Sequence, residues 1–186
     1  MRAFIAIELP QDIRKGLREI QEELKKTDAD VKWVKPENVH LTLKFLGNVA
    51  DEKIKKIKSL LEEISSGYSK FEASVFKIGA FPKLEYPRVI WVGIDKGCNL
   101  LEEIAVRIED ECEHIGFAKE KRAFSAHLTL GRVRTGKNKI ALKEKLLSAA
   151  VPQQSFIVDK IILFQSTLTP KGPIYTPLHS SILSLH

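Results

Sequence analysis

Two cysteines and one methionine stand among 186 residues. Cys98 and Cys112 are too few for a disulfide framework and too far apart for a CxxC redox or zinc motif, so both are expected as reduced, mostly buried thiols. No apolar run approaches the roughly 20 residues of a membrane-spanning helix; Val89 to Ile94 and Ile161 to Phe164 are strand-sized. Met1 to Leu9 alternate like a strand and lack the apolar core and cleavage site of a secretory signal, which makes the cytoplasm the expected compartment. Gly97, Gly116, Gly131, Gly136 and Gly172 are isolated and form neither a phosphate-binding loop nor a dinucleotide fingerprint. No His, Cys, Asp or Glu cluster has a metal-ligand spacing, so neither metal nor cofactor is expected.

Charge is plentiful. Thirty Lys and Arg against 24 Asp and Glu give a formal net charge of +6, which favours an anionic partner through long-range steering. A Lys- and Glu-rich surface with few thermolabile residues also fits a thermophile. One domain spanning 1–186 is expected, and a monomer is the default.

Hydrophobic periodicity gives the elements. Arg2 to Glu8 reads as a strand, and Gln11 to Lys26 as an amphipathic helix with Ile13, Leu17, Ile20 and Leu24 inward. Strands follow at Val31 to Val34 and His40 to Phe45, then a helix over Asp51 to Ile64 and a strand near Phe71 to Ile78. A loop holding Gly79, Pro82 and Pro87 interrupts the pattern. After it come a strand at Arg88 to Ile94, a helix at Leu101 to Ile115, a strand at Phe124 to Val133 and a short helix at Ile140 to Ala149. Strands at Phe156 to Ser166 and Tyr175 to Leu185 close the chain. The order repeats, which predicts an α+β, bilobal fold: two pseudo-symmetric lobes with facing antiparallel sheets, helices outside and a central cleft.

The most informative feature is a tetrapeptide, His-Leu-Thr-Leu, present at His40 to Leu43 and again at His127 to Leu130, 127 − 40 = 87 residues apart. A single His-x-Thr is usually a half-buried strand pair. Duplication at matching places in the two halves points instead to a site. Alternation along a strand sends His40 and Thr42 to one face and the leucines to the other, and likewise for His127 and Thr129. Two imidazoles with two hydroxyls suit a phosphodiester, where one proton is taken from a nucleophile and another given to a leaving oxygen. Thr42 and Thr129 would donate to the non-bridging oxygens, and Arg132 is the candidate cation for the transition-state charge. Regular alternation would turn Arg132 away, so a bulge or bend at Gly131 is required.

These motifs resemble those of the 2H phosphoesterase superfamily, and the flanks resemble its LigT-type RNA 2',3'-cyclic phosphodiesterase branch. The likeness rests on Arg2-Ala3-Phe4-Ile5-Ala6-Ile7, on His40-Leu41-Thr42-Leu43-Lys44-Phe45-Leu46-Gly47, on the second motif with Arg132, and on Ser166 to Leu178 with Gly172, Pro173 and Tyr175. It implies hydrolysis of an RNA terminal 2',3'-cyclic phosphate to a 2'-phosphate, with His40 as proton donor, His127 as proton acceptor and no metal or ATP. It also implies the reverse reaction, 2'-5' joining of tRNA halves. Family members commonly carry Pro before the second His, where this chain has Ala126; that loosens a turn and leaves the chemistry intact.

Other residues carry weaker signals. Phe4, Lys44 and Tyr175 are candidate RNA contacts, with Trp33 as a further stacking candidate, although core packing is the commoner role for such rings. Lys121, Arg122, Arg134 and Lys137 could follow an RNA backbone. His114 and His179 read as structural, and His186 is the chain terminus. Two alternatives stand beside the enzyme: a non-catalytic module that binds RNA ends, and a phosphodiesterase for a small cyclic nucleotide.

Overall fold

The computed structural model describes residues 1–184. Leu185 and His186, the end of the expected last strand and the terminal histidine, lie outside the described residues. Nine strands and four helices follow in the order β1 (Arg2–Glu8), α1 (Gln11–Lys25), β2 (Val31–Trp33), β3 (His40–Asn48), α2 (Asp51–Ser66), β4 (Phe71–Lys83), β5 (Tyr86–Ile94), α3 (Cys98–His114), β6 (His127–Val133), α4 (Lys139–Ser148), β7 (Ser155–Val158), β8 (Lys160–Thr169) and β9 (Gly172–Ile182). The class is α+β, as expected. No helix among the described residues is long and apolar enough to cross a membrane.

The strands run β7-β4-β5-β6-β3-β1-β8-β9, with β2 also paired to β6. Every pairing is antiparallel. Four strands of this path lie on each side of the β3–β6 junction, and the two halves of the sheet exchange strands relative to the halves expected from sequence, with β4 beside β5 in the β6 half and β8 and β9 beside β1 in the β3 half. They join edge to edge in one curled half-barrel, through a single rung at Leu41 and Leu128.

The helices supply one side of the core. In α1, Ile13, Leu17, Ile20 and Leu24 are buried, at steps of four, three and four; burying each such side chain is worth roughly 1.5–3 kcal/mol. They join the inward-facing Ile5, Ile7, Leu41, Leu43, Leu128 and Leu130 in the main cluster. The other face of β1 and β8 holds a separate small cluster of Phe4, Ala6, Ile162 and Phe164, with Tyr175 packed against it. β1 is therefore buried on both faces from Ala3 to Ile7, a continuous apolar run in place of the alternation expected.

Two connections are unlike those expected. The predicted loop over 79–87 is a hairpin: β4 runs to Lys83, β5 begins at Tyr86, and Pro82 pairs with Pro87 across it with a register shift beside them. The prolines stand opposite each other at the end of the ladder, where a missing N–H costs little. The single strand expected over Phe156 to Ser166 is two. β7 pairs with β4 and β8 with β1, so the chain passes from the second half of the sheet back to the first at Asp159.

Candidate active site

β3 and β6 share one burial pattern from their histidines onward: half-buried, buried, half-buried, buried, buried, exposed. The two consecutive buried positions mark a bulge in each strand. On β6, Thr129 pairs with Trp91 and Gly131 with Ile90, leaving Leu130 as the extra residue. On β3, Thr42 pairs with Ala6 and Lys44 with Ile5, leaving Leu43. The bulge resets the alternation, so Arg132, opposite Val89, returns to the face of Trp91 and Thr129. This is the irregularity the sequence required. A Cβ on Gly131 would lie 2.7 Å from Val31 Cγ1 and 2.9 Å from Trp33 Cε3, so the position demands glycine for close packing.

Because Leu41 meets Leu128 at the junction, antiparallel register sets His40 beside Thr129 and Thr42 beside His127. All four lie on the face opposite the leucines, within cross-strand reach of one another. Each histidine is held alike. His40 Nδ1 lies 2.7 Å from the Asn38 carbonyl, and His127 Nδ1 lies 2.6 Å from the Ser125 carbonyl. A carbonyl only accepts, so each Nδ1 carries the proton and each Nε2 is left for chemistry. Asn38 is fixed in turn by its Nδ2, which donates to the Pro173 carbonyl at 3.0 Å.

The two imidazoles differ in surroundings. His40 stacks on Phe4 with centroids 4.7 Å apart and meets the edge of Tyr175 at 5.1 Å. Burial there, reinforced by the positive charge of Arg14 and opposed by the Asn38 carbonyl, lowers its pKa from 6.5 to about 4. His127 meets one aromatic ring among the described residues, that of Phe81, edge-on at 5.1 Å. Arg2 and Arg132 both act on the Tyr175 hydroxyl, whose pKa burial raises in spite of them. The site therefore combines two imidazoles, the hydroxyls of Thr42, Thr129 and Tyr175, and two guanidinium groups.

Two of the three expected RNA contacts, Phe4 and Lys44, are placed otherwise. Phe4 is buried at 3% exposure and supports His40, leaving no open ring for a base. Lys44 is turned into the core by the β3 bulge and is ion-paired with Glu109. Tyr175 is half-buried against the His40 ring. The residue that takes the cleft face beyond the β3 bulge is Phe45, 61% exposed and 6.2 Å from Phe4. Phe45, Phe81 and Arg2 were not singled out from sequence. Phe45 could have been found by extending the bulge argument made for Arg132 to the first motif.

A model of the family described as LigT like Phosphoesterase matches this chain twice, at residues 7–91 and 92–175. The chain belongs to the LigT-like phosphoesterase family. Each match contains one His-x-Thr pair, His40 and Thr42 in the first and His127 and Thr129 in the second. Among its LigT-like relatives, the RNA 2',3'-cyclic phosphodiesterase of Methanocaldococcus jannaschii is 40% identical over 176 residues, covering 94% of this chain and 96% of the relative. That of Methanothermobacter thermautotrophicus is 37% identical over 179 residues, covering 96% of each. Among LigT-like structures, a protein of Thermus thermophilus superposes with a TM-score of 0.83 at 26% identity, covering 100% of this chain and 99% of that one. Escherichia coli LigT complexed with 3'-AMP superposes with a TM-score of 0.79 at 26% identity, covering 98% of each chain.

Other titratable groups stay outside the cleft chemistry. His114 ends α3 near Glu111, and His179 Nε2 lies 2.6 Å from Glu62. Lys137 is paired with Asp28. Cys112 is a free thiol whose pKa burial raises to about 11. Among the described residues no group of three or more His, Cys, Asp or Glu is placed to hold a metal ion.

Proposed function

We propose that this LigT-like phosphoesterase opens the 2',3'-cyclic phosphate at the end of an RNA strand, giving a 2'-phosphate and a free 3'-hydroxyl, by histidine acid–base chemistry without a metal ion. The observation that carries the proposal is the convergence of two His-x-Thr pairs on one face around the Leu41–Leu128 rung. The relatives named RNA 2',3'-cyclic phosphodiesterase supply the substrate class.

The phosphate sits between the two Nε2 atoms, with the Thr42 and Thr129 hydroxyls donating to its non-bridging oxygens. Arg132 offsets the charge that builds on the five-coordinate phosphorus. His127 takes a proton from water as its oxygen attacks phosphorus; His40 gives a proton to the departing 3' oxygen as that bond breaks. His40 is neutral in the free protein at pH 7, so its proton is taken up with the anionic phosphate, whose charge favours the imidazolium. With an RNA 5'-hydroxyl in place of water, the same groups open the ring in the same direction: the 5' oxygen bonds to phosphorus, the 3' oxygen leaves with a proton, and a 2'-5' link results. The exposed ring of Phe45 offers a flat surface for the terminal base.

A second assignment is favoured by one observation. The low proton affinity of His40 in the free protein suits a base, which would exchange the two histidine roles. A substrate with sulfur at the bridging 3' position separates them, because a thiolate leaves without protonation. His40→Ala activity is restored by that substrate if His40 is the donor. If His127→Ala is the variant restored, the roles are exchanged.

A further inference from the structure

A groove of about 640 Å³ beside the cleft is formed by the end of β3 and the segment joining α3 to β6. Phe45 to Gly47 line one side, and Phe117 to Arg122 line the other. Phe45 also belongs to the cleft face, so it is the residue that groove and cleft share.

The cations of this segment are unequal. Lys119 is committed to Asp110 and Glu113 at 2.7 and 3.2 Å. Lys121 and Arg122 are exposed and have no acidic partner among the described residues. The one acid lining the groove is Glu120, whose backbone N–H donates to Glu109.

The segment is fastened from beneath by Lys44. Its ammonium, at 1% side-chain exposure, pairs with Glu109 and donates to the Ala118 carbonyl at 3.0 Å. Glu109 then accepts from the Glu120 N–H. Lys53 adds a donation to the Gly116 carbonyl and stands 4.8 Å over the Phe117 ring. A buried ammonium is costly unless it is paired, so this side chain is spent on holding one surface segment against the strand that carries His40.

We propose that this groove is a track for the RNA strand on the 5' side of the cyclic phosphate, with Lys121 and Arg122 contacting its phosphates and Lys44 positioning the segment that bears them. The proposal rests on the RNA-end reading given above and extends it to substrate class: an oligonucleotide is the preferred substrate over a mononucleotide cyclic phosphate. The aromatic ring at the cleft end and the uncommitted cations beyond it match the alternation of base and phosphate in a single strand.

The test compares kcat/KM for a 2',3'-cyclic mononucleotide and for an RNA hexamer ending in the same cyclic phosphate, in the native enzyme and in K121E/R122E. The charge-reversed variant is expected to lose about ten-fold or more on the hexamer and much less on the mononucleotide. The salt dependence of hexamer KM should flatten by about 1.4 in log–log slope, about 0.7 for each single-strand phosphate no longer neutralised. Lys44→Met serves as the second variant, with the same selective loss expected. Equal losses on the two substrates, or an undiminished hexamer rate in K121E/R122E, overturn the track. Opening of the mononucleotide by the native enzyme reports separately on the proposed reaction.

Discussion

The side-chain amide of Gln21, buried within α1, donates to the Leu130 carbonyl at 2.9 Å and to the Val34 carbonyl at 2.8 Å. Leu130 is the extra residue of the β6 bulge, and its carbonyl also accepts from the Val34 N–H at 2.9 Å. A helix on the core side thus holds the irregularity that returns Arg132 to the cleft face.

Gln21→Met keeps much of the volume and removes both donations. A buried group left without its partner costs about 1–3 kcal/mol, so urea unfolding should show a loss in that range. kcat/KM should fall as well, since Arg132 loses its fixed register. Unchanged stability would mean that the bulge is held by other contacts.

His40 gives stability a definite pH dependence. Its folded pKa, about 4, lies below the ordinary 6.5, so between these values the unfolded chain binds more protons than the folded one. Stability from this group is complete above pH 6.5 and is lost as pH falls toward 4, by up to about 3 kcal/mol at 1.36 kcal/mol per pH unit. Unfolding curves at pH 4.5 and 7 should differ more for the native protein than for His40→Gln. Equal differences would place the acid sensitivity elsewhere.

Proton uptake follows from the same burial. Binding of inorganic phosphate near pH 7 should draw protons onto His40, which calorimetry in buffers of different ionisation enthalpy measures directly. His40→Gln should abolish most of the uptake; uptake that persists in the variant contradicts the linkage.

Phe45 is exposed, so Phe45→Ala should change stability by no more than about 0.5 kcal/mol. Stacking on an aromatic ring is worth about 1–3 kcal/mol per base. KM for cyclic-phosphate RNA should therefore rise by about five-fold or more. An unchanged KM excludes the ring as a base platform.

The sequence made the motif pairs and the four helices legible because both depend on local periodicity. His40, Thr42, His127 and Thr129 follow from alternation, and even the need for a bulge before Arg132 follows from counting parity. Lys44 and Phe45 were less accessible: the same bulge on β3 exchanges their faces, and an exposed lysine and a buried one look alike in sequence. The hairpin between Lys83 and Tyr86 was hidden by Pro82 and Pro87, whose tolerance depends on cross-strand register. The passage between β7 and β8 at Asp159 depends on partners far away in the chain. Gln21 was hidden for a different reason, since a polar residue on the margin of an amphipathic stripe normally reads as solvent-facing.

Both imidazoles are proposed to act on one phosphorus atom. The most direct test is mass analysis of an RNA oligomer ending in a 2',3'-cyclic phosphate, incubated in EDTA with the native protein, His40→Ala or His127→Ala, with the position of the product phosphate determined. The native protein should yield the 2'-phosphate, and each variant should be slower by about 10²-fold or more. Native-like turnover in either variant, loss of native activity to EDTA, or a 3'-phosphate product would contradict the account.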